Sequence, residues 1–161
     1  MRIPKVYLET TLFNYYFDAD RDGHIDTVRM FEAIAAGKYE GYTSGYAIAE
    51  LGNAPEPKRN GMMALLDKHG IIVLSITEES DQLADIYIRN GVFSERYRLD
   101  SSHVAIASIH GLDFLLSFNF GHINKIKTKR MTARINKEEG YQEVTICTPM
   151  EVLDYEETEH N

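Results

Sequence analysis

The sequence predicts an α/β protein with three layers, α/β/α, around a central, mostly parallel sheet. Two observations carry that prediction. Short apolar stretches alternate with segments whose apolar residues recur at helical spacing, the signature of βαβ units. No repeat, low-complexity tract or Pro/Gly/Ser linker divides the chain, so residues 1–161 read as a single domain with an acidic tail from about residue 154. A chain of this length can bury roughly 70% of its unfolded surface, enough for one sheet with helices on both faces.

The elements follow in order. Val6-Tyr7-Leu8 is a short buried strand closed by Glu9, and Thr10-Thr11 start a helix behind it. Ile25, Val28, Phe31, Ile34 and Ala35 share one helical face, with Gly37 at the stop. Tyr39–Thr43 is a second strand. Ser44 opens a short helix through Leu51 that Pro55 and Pro57 end, and another helix runs through Met62, Met63, Leu65 and Leu66 to Gly70. The continuous run Ile71–Leu74 predicts a strand covered on both faces. Thr77 caps a helix through Leu83, Ile86 and Tyr87 that ends near Gly91. Asp100-Ser101-Ser102 reads as an N-cap before Val104–Ala107, with Gly111 at the end. Phe114–Ser117 and Val144–Cys147 are the last strands, and Pro149 sits at a first helical position.

Composition narrows the function. With 17 Lys+Arg against 25 Asp+Glu the net charge is −8, so no whole-surface basic footprint for nucleic acid exists. The charge is unevenly placed, however. Residues 122–137 hold Lys125, Lys127, Lys129, Arg130, Arg134 and Lys137 with no acid, which leaves 11 basic residues against 25 acidic ones elsewhere. No apolar run approaches the roughly 20 residues that span a bilayer, and the N-terminus shows no signal-peptide core. The expectation is a cytoplasmic protein without a membrane partner. The one cysteine, Cys147, lies in a strand pattern and reads as an inert, buried thiol.

Phosphate-cradling glycine motifs and a serine-nucleophile elbow are both missing. What remains is a set of acids at strand ends and helix starts, where open α/β sheets gather their ligands. Glu9 closes the first strand, Glu50 sits in the apolar run Ala47-Ile48-Ala49-Glu50-Leu51, Asp100 begins a helix, and Asn119 follows a strand. Taken singly, each has an ordinary structural reading. Together they place three carboxylates and an amide in one crevice, where they repel unless a cation sits among them. Oxygen ligands with few histidines favour Mg²⁺ or Mn²⁺ over zinc.

These segments resemble the PIN-domain family, the small metal-dependent ribonuclease fold of VapC-type toxins. The resemblance runs through Val6-Tyr7-Leu8-Glu9-Thr10-Thr11, Ala47–Leu51, Asp100-Ser101-Ser102-His103-Val104-Ala105-Ile106-Ala107, Leu115-Leu116-Ser117-Phe118-Asn119-Phe120 and Thr148–Leu153, in order along nearly the whole chain. It implies that Glu9, Glu50, Asp100 and Asn119 are the catalytic residues and hold Mg²⁺ or Mn²⁺. The ion would deliver hydroxide to an RNA phosphodiester, leaving a 5′-phosphate and a 3′-hydroxyl. Thr10, Thr11 and Ser117 match hydroxyl positions beside the acids and are expected to contact substrate, while Lys125, Lys127, Lys129 and Arg130 would hold phosphates. The family also implies a homodimer and a cognate antitoxin that inserts a basic side chain among the acids. Two positions depart from its pattern: Glu9 stands for an Asp, and Asn119 for a final Asp.

His103, three residues past Asp100, reads either as a hydrogen-bonded structural histidine or as a group touching substrate; His122 is similar. Phe13, Tyr15, Tyr16 and Phe17 read as core or interface aromatics, with base stacking as the alternative. Two readings stand beside the nuclease: a catalytically degenerate PIN fold that binds nucleic acid or protein, and an unrelated doubly wound phosphatase or phospho-acceptor.

Overall fold

The computed structural model describes residues 2–160, and side chains up to residue 155. Five strands form one sheet: β1 (Lys5–Leu8), β2 (Glu40–Ser44), β3 (Ile72–Leu74), β4 (Phe114–Leu116) and β5 (Thr145–Cys147). Their order is β3-β2-β1-β4-β5, and every pairing is parallel. The helices are α1 (Thr10–Phe17), α2 (His24–Ala35), α3 (Gly45–Leu51), α4 (Lys58–His69), α5 (Glu78–Arg89), α6 (Arg98–Ile109), α7 (Ile126–Glu139) and α8 (Pro149–His160). The segment expected to be an acidic tail continues α8 in its backbone, and the side chains of 156–160 lie outside those described.

Strand alternation splits the core between the two faces. Val6, Leu8, Leu116 and Cys147 pack with α1, α2, α4 and α8. Tyr7, Leu115 and Ile146 pack with α5, α6 and α7 on the other side. The expected three layers are therefore present, with a wholly parallel sheet. The chain adds β2 and β3 on one side of β1, then crosses to add β4 and β5 on the other. That reversal opens a crevice above the C-terminal ends of β1 and β4, where parallel sheets bind ligands.

Two expectations are corrected. The run Ile71–Leu74 is not covered on both faces: β3 is an edge strand, and Ile72 and Val73 are exposed by 46% and 42%. An apolar run alone cannot separate an edge strand from a central one. Asp100 is not an N-cap, because a 3-10 turn at Glu95–Tyr97 leads straight into α6 at Arg98 and leaves Asp100 in its first turn. The basic segment forms α7, at 14 residues the longest helix described. Its buried stripe is Thr128, Thr132, Ile135 and Asn136, so hydropathy does not mark it as a helix. The threonine hydroxyls satisfy themselves on the backbone, Thr128 at His122 O (2.6 Å) and Thr132 at Thr128 O (2.7 Å).

Other sequence signals map directly onto the structure. Ser44 caps α3 by accepting from Tyr46 N (3.2 Å), and Thr77 with Ser80 forms a capping box at α5. Phe13 is core and Tyr16 packs edge-on against Phe31, while Tyr15 stacks on Phe118. Cys147 is a buried free thiol whose pKa burial pushes up to about 12, so it is inert at neutral pH.

Candidate active site

Backbone pairing fixes the first part of the site. Leu8 lies opposite Leu116 in the β1–β4 ladder, and Glu9 N–H donates to Leu116 O at 3.1 Å, so Glu9 and Ser117 leave the sheet side by side. Glu9 is only 3% exposed. Its Oε1 accepts from Thr11 Oγ1 (2.6 Å) and Ser117 Oγ (2.7 Å). Those two hydroxyl oxygens in turn accept from Phe118 N and Asn119 N, both at 2.9 Å. The carboxylate is thus held by hydroxyls, and no ion pair reaches it among the described residues.

Glu50, near the end of the short α3, is held differently. Its Oε1 accepts from Thr10 Oγ1 (2.9 Å) and from His103 Nε2 (2.5 Å). His103 is fully buried and its Nδ1 lies 2.5 Å from the Tyr7 hydroxyl, which lies 2.7 Å from Ser44 Oγ. The path begins at the cap of α3 and returns to Glu50 on the same helix through β1 and α6. Burial alone would pull the His103 pKa down, but Glu50, with Glu9 and Asp100 farther off, raises it above the ordinary value. Burial likewise opposes Glu50, yet the bond and charge of His103 bring its pKa below the usual carboxylate range. Both shifts describe one ion pair.

Asp100 completes the cleft from the first turn of α6. Burial raises its pKa; His103 and His122 pull it down, while Glu9 and Glu50 push it up, and the net shift is upward. Asn119 Nδ2 reaches Asp100 Oδ1 at 3.4 Å, and its Oδ1 accepts from His122 N at 3.0 Å. The amide therefore offers the cleft an N–H donor, and its oxygen is already engaged.

The structure brings Glu9, Glu50, Asp100 and Asn119 to one end of the sheet, where the acids act on one another electrostatically. Their oxygens are not gathered into a ligand cluster: among the described residues no three His, Cys, Asp or Glu side chains stand in a metal-holding arrangement. Glu9 faces Thr11 and Ser117, and Glu50 faces His103. Thr10, Thr11 and Ser117 each give their proton to an acid, so they position the carboxylates. Lys127 and Arg130 are exposed on α7, Lys125 forms its N-cap, and Lys129 lies towards Cys147. The charges acting most strongly on Asp100 include none of these cations.

His103 is the hydrogen-bonded, buried histidine of the first of its two readings, and its partners Tyr7 and Glu50 are not legible in the sequence. The one sequence signal is its spacing, one helical turn past Asp100.

No protein-family model matches the sequence, and no curated relative does. Solved structures do match. The toxin VapC20 of Mycobacterium tuberculosis, described as cleaving the sarcin–ricin loop, superposes with a TM-score of 0.57 at 14% identity, over 87% of this chain and 98% of the toxin. The chain has a PIN-domain fold. VapBC2 of Rickettsia felis, solved on a DNA fragment from its promoter, gives a TM-score of 0.57 at 13% identity over 88% of this chain and 96% of its own. At such identity the likeness is one of fold. No helix among the described residues is long and apolar enough to cross a membrane.

Proposed function

We propose that this PIN-fold chain is a divalent-cation-dependent endoribonuclease, the toxin of a toxin–antitoxin pair. The observation that carries the reading is Glu9, a buried carboxylate with hydroxyl donors and no ion pair among the described residues, beside Asp100, which burial, together with Glu9 and Glu50, disfavours as an anion. Buried negative charge of this kind is costly without a counter-ion. The donors are carboxylate oxygens, a type that suits Mg²⁺ or Mn²⁺, and the acids would have to turn to the ion from the separate hydroxyl and imidazole partners that hold them in this structure.

Glu9 and Asp100 would hold the cation, with Glu50 contributing the oxygen that Thr10 and His103 leave free. When bound, such an ion supplies an activated water and a counter-charge for the phosphate. Thr11 and Ser117 fix the orientation of Glu9, and Asn119 N–H steers Asp100. Lys125, Lys127, Lys129 and Arg130 would take phosphates along the N-terminal half of α7. The resemblance in fold to the toxin VapC20 supports the toxin role, and that to VapBC2 supports an antitoxin partner; a homodimer, and an antitoxin seated over the cleft, follow from the family resemblance alone.

The test is cleavage of RNA in Mn²⁺ by the wild type, Glu9→Gln and Asp100→Asn. Loss of about 100-fold or more in both variants is expected; retained cleavage removes the mechanism. The second reading, a binding module without catalysis, is favoured by Asn119, whose oxygen is committed to His122 N. It predicts RNA or protein binding with no turnover in Mn²⁺.

A further inference from the structure

The loop after β4 does more than deliver Ser117 and Asn119 to the carboxylates. It is tightly fixed: Phe120 N donates to Phe118 O (3.0 Å), Ile123 N and Asn124 N both reach Asn119 O (3.1 and 2.8 Å), and Asn124 Nδ2 reaches Ser117 O (3.0 Å). Ile123 is fully buried beneath it. Yet Phe120, at its tip, is 57% exposed, one residue past Asn119. His122, whose N–H donates to Asn119 Oδ1 at 3.0 Å, carries the half-buried Tyr97 ring stacked on it at 3.7 Å and 27°, with the Arg96 guanidinium 5.6 Å from the Tyr97 centroid.

Resting on the nuclease reading, we propose that this loop carries a nucleobase subsite: Phe120 stacks one base, and the Tyr97–His122 pair a neighbouring one, next to the phosphate that the cleft engages. The substrate class is single-stranded RNA. Every base has a π-face, and an aromatic ring reaches it only where the strand is unpaired. The Phe120 ring already stands edge-on to Phe118, 6.5 Å between centroids, on a fixed loop, so it loses little freedom on binding, which favours stacking. Without its cation the acidic cleft repels a phosphate backbone, so much of the strand affinity comes from elsewhere. Base stacking supplies the part that is independent of charge, and the exposed Lys127 and Arg130 on α7 supply the ionic part.

The experiment is fluorescence anisotropy of a labelled, mixed-sequence oligoribonucleotide, single-stranded and in duplex, in the Asp100→Asn background where no cleavage is expected. Phe120→Ala and Tyr97→Ala should each weaken single-strand binding by roughly 5- to 150-fold, the range for loss of one stacked base. Phe120→Trp should restore it, and duplex binding should stay unchanged. Unchanged single-strand affinity in Phe120→Ala, an equal loss on duplex, or no single-strand binding by the parent would overturn the proposal. An outcome in which only a protein partner loses affinity would also overturn it. The two readings fail separately: stacking-dependent binding by a protein that cleaves no RNA sinks the nuclease alone, and cleavage with an indifferent Phe120 sinks the subsite alone.

Discussion

Asp100 shows how one residue can be costly to stability at the place where the proposed chemistry needs it. Its carboxyl is held above the ordinary value of 3.8 by burial and by Glu9 and Glu50, despite His103 and His122. A carboxyl shifted upward contributes to stability while protonated, and the contribution is lost as pH rises through the folded-state pKa. At pH 7 the ionised form is therefore a burden. Asp100→Asn should melt higher than the wild type at pH 7, by up to roughly 2–4 °C, the scale of about 1 kcal/mol for this chain length. Solvent screening at a half-buried carboxyl keeps the effect within that bound. The gap should close towards pH 4 as Asp100 takes up its proton. Thermal melts across pH read this directly, and a variant less stable than the wild type at pH 7 contradicts it.

At the scale of elements, His103 ties α6 to α3 and β1. Replacing it by Leu removes the donor to Glu50 and takes from the buried Tyr7 hydroxyl its imidazole partner. A loss of about 1–3 kcal/mol in denaturant unfolding is expected. His103→Gln keeps an N–H able to reach Glu50 and should recover part of it; equal loss in both variants would mean that volume matters and the bonds do not. Elements differ in how far the sequence discloses them. Val6–Leu8 and Phe114–Leu116 are legible because burial on both faces demands unbroken apolar runs. The same run misleads at Ile72 and Val73, since a short edge strand carries it too. α7 escapes because Thr128, Thr132 and Asn136 fill core positions with polar side chains that bond internally. At the site, the acids are visible as residue types at element ends. The partners of their oxygens are not, because Tyr7, Ser44, Glu50 and His103 meet only through the crossover that places β1 between β2 and β4.

The molecule as a whole is an acidic body, net −8, carrying its one acid-free basic run at the start of α7. If that run holds an RNA backbone, affinity must fall with salt in proportion to the phosphates neutralised, at about 0.7 per contact in the log–log slope for a single strand. Lys127→Ala and Arg130→Ala should each lower affinity similarly for all sequences and flatten the slope by about that amount. An unchanged slope would remove α7 from the interface.

The cation-holding cleft is tested most directly by calorimetric titration of Mn²⁺ into the wild type, Glu9→Gln and Asp100→Asn. Binding by the wild type is predicted, with each variant weakened by more than the roughly 10- to 100-fold that loss of an outer-shell partner costs a metal site. Equal affinity in all three proteins, or no binding by the wild type, would contradict it.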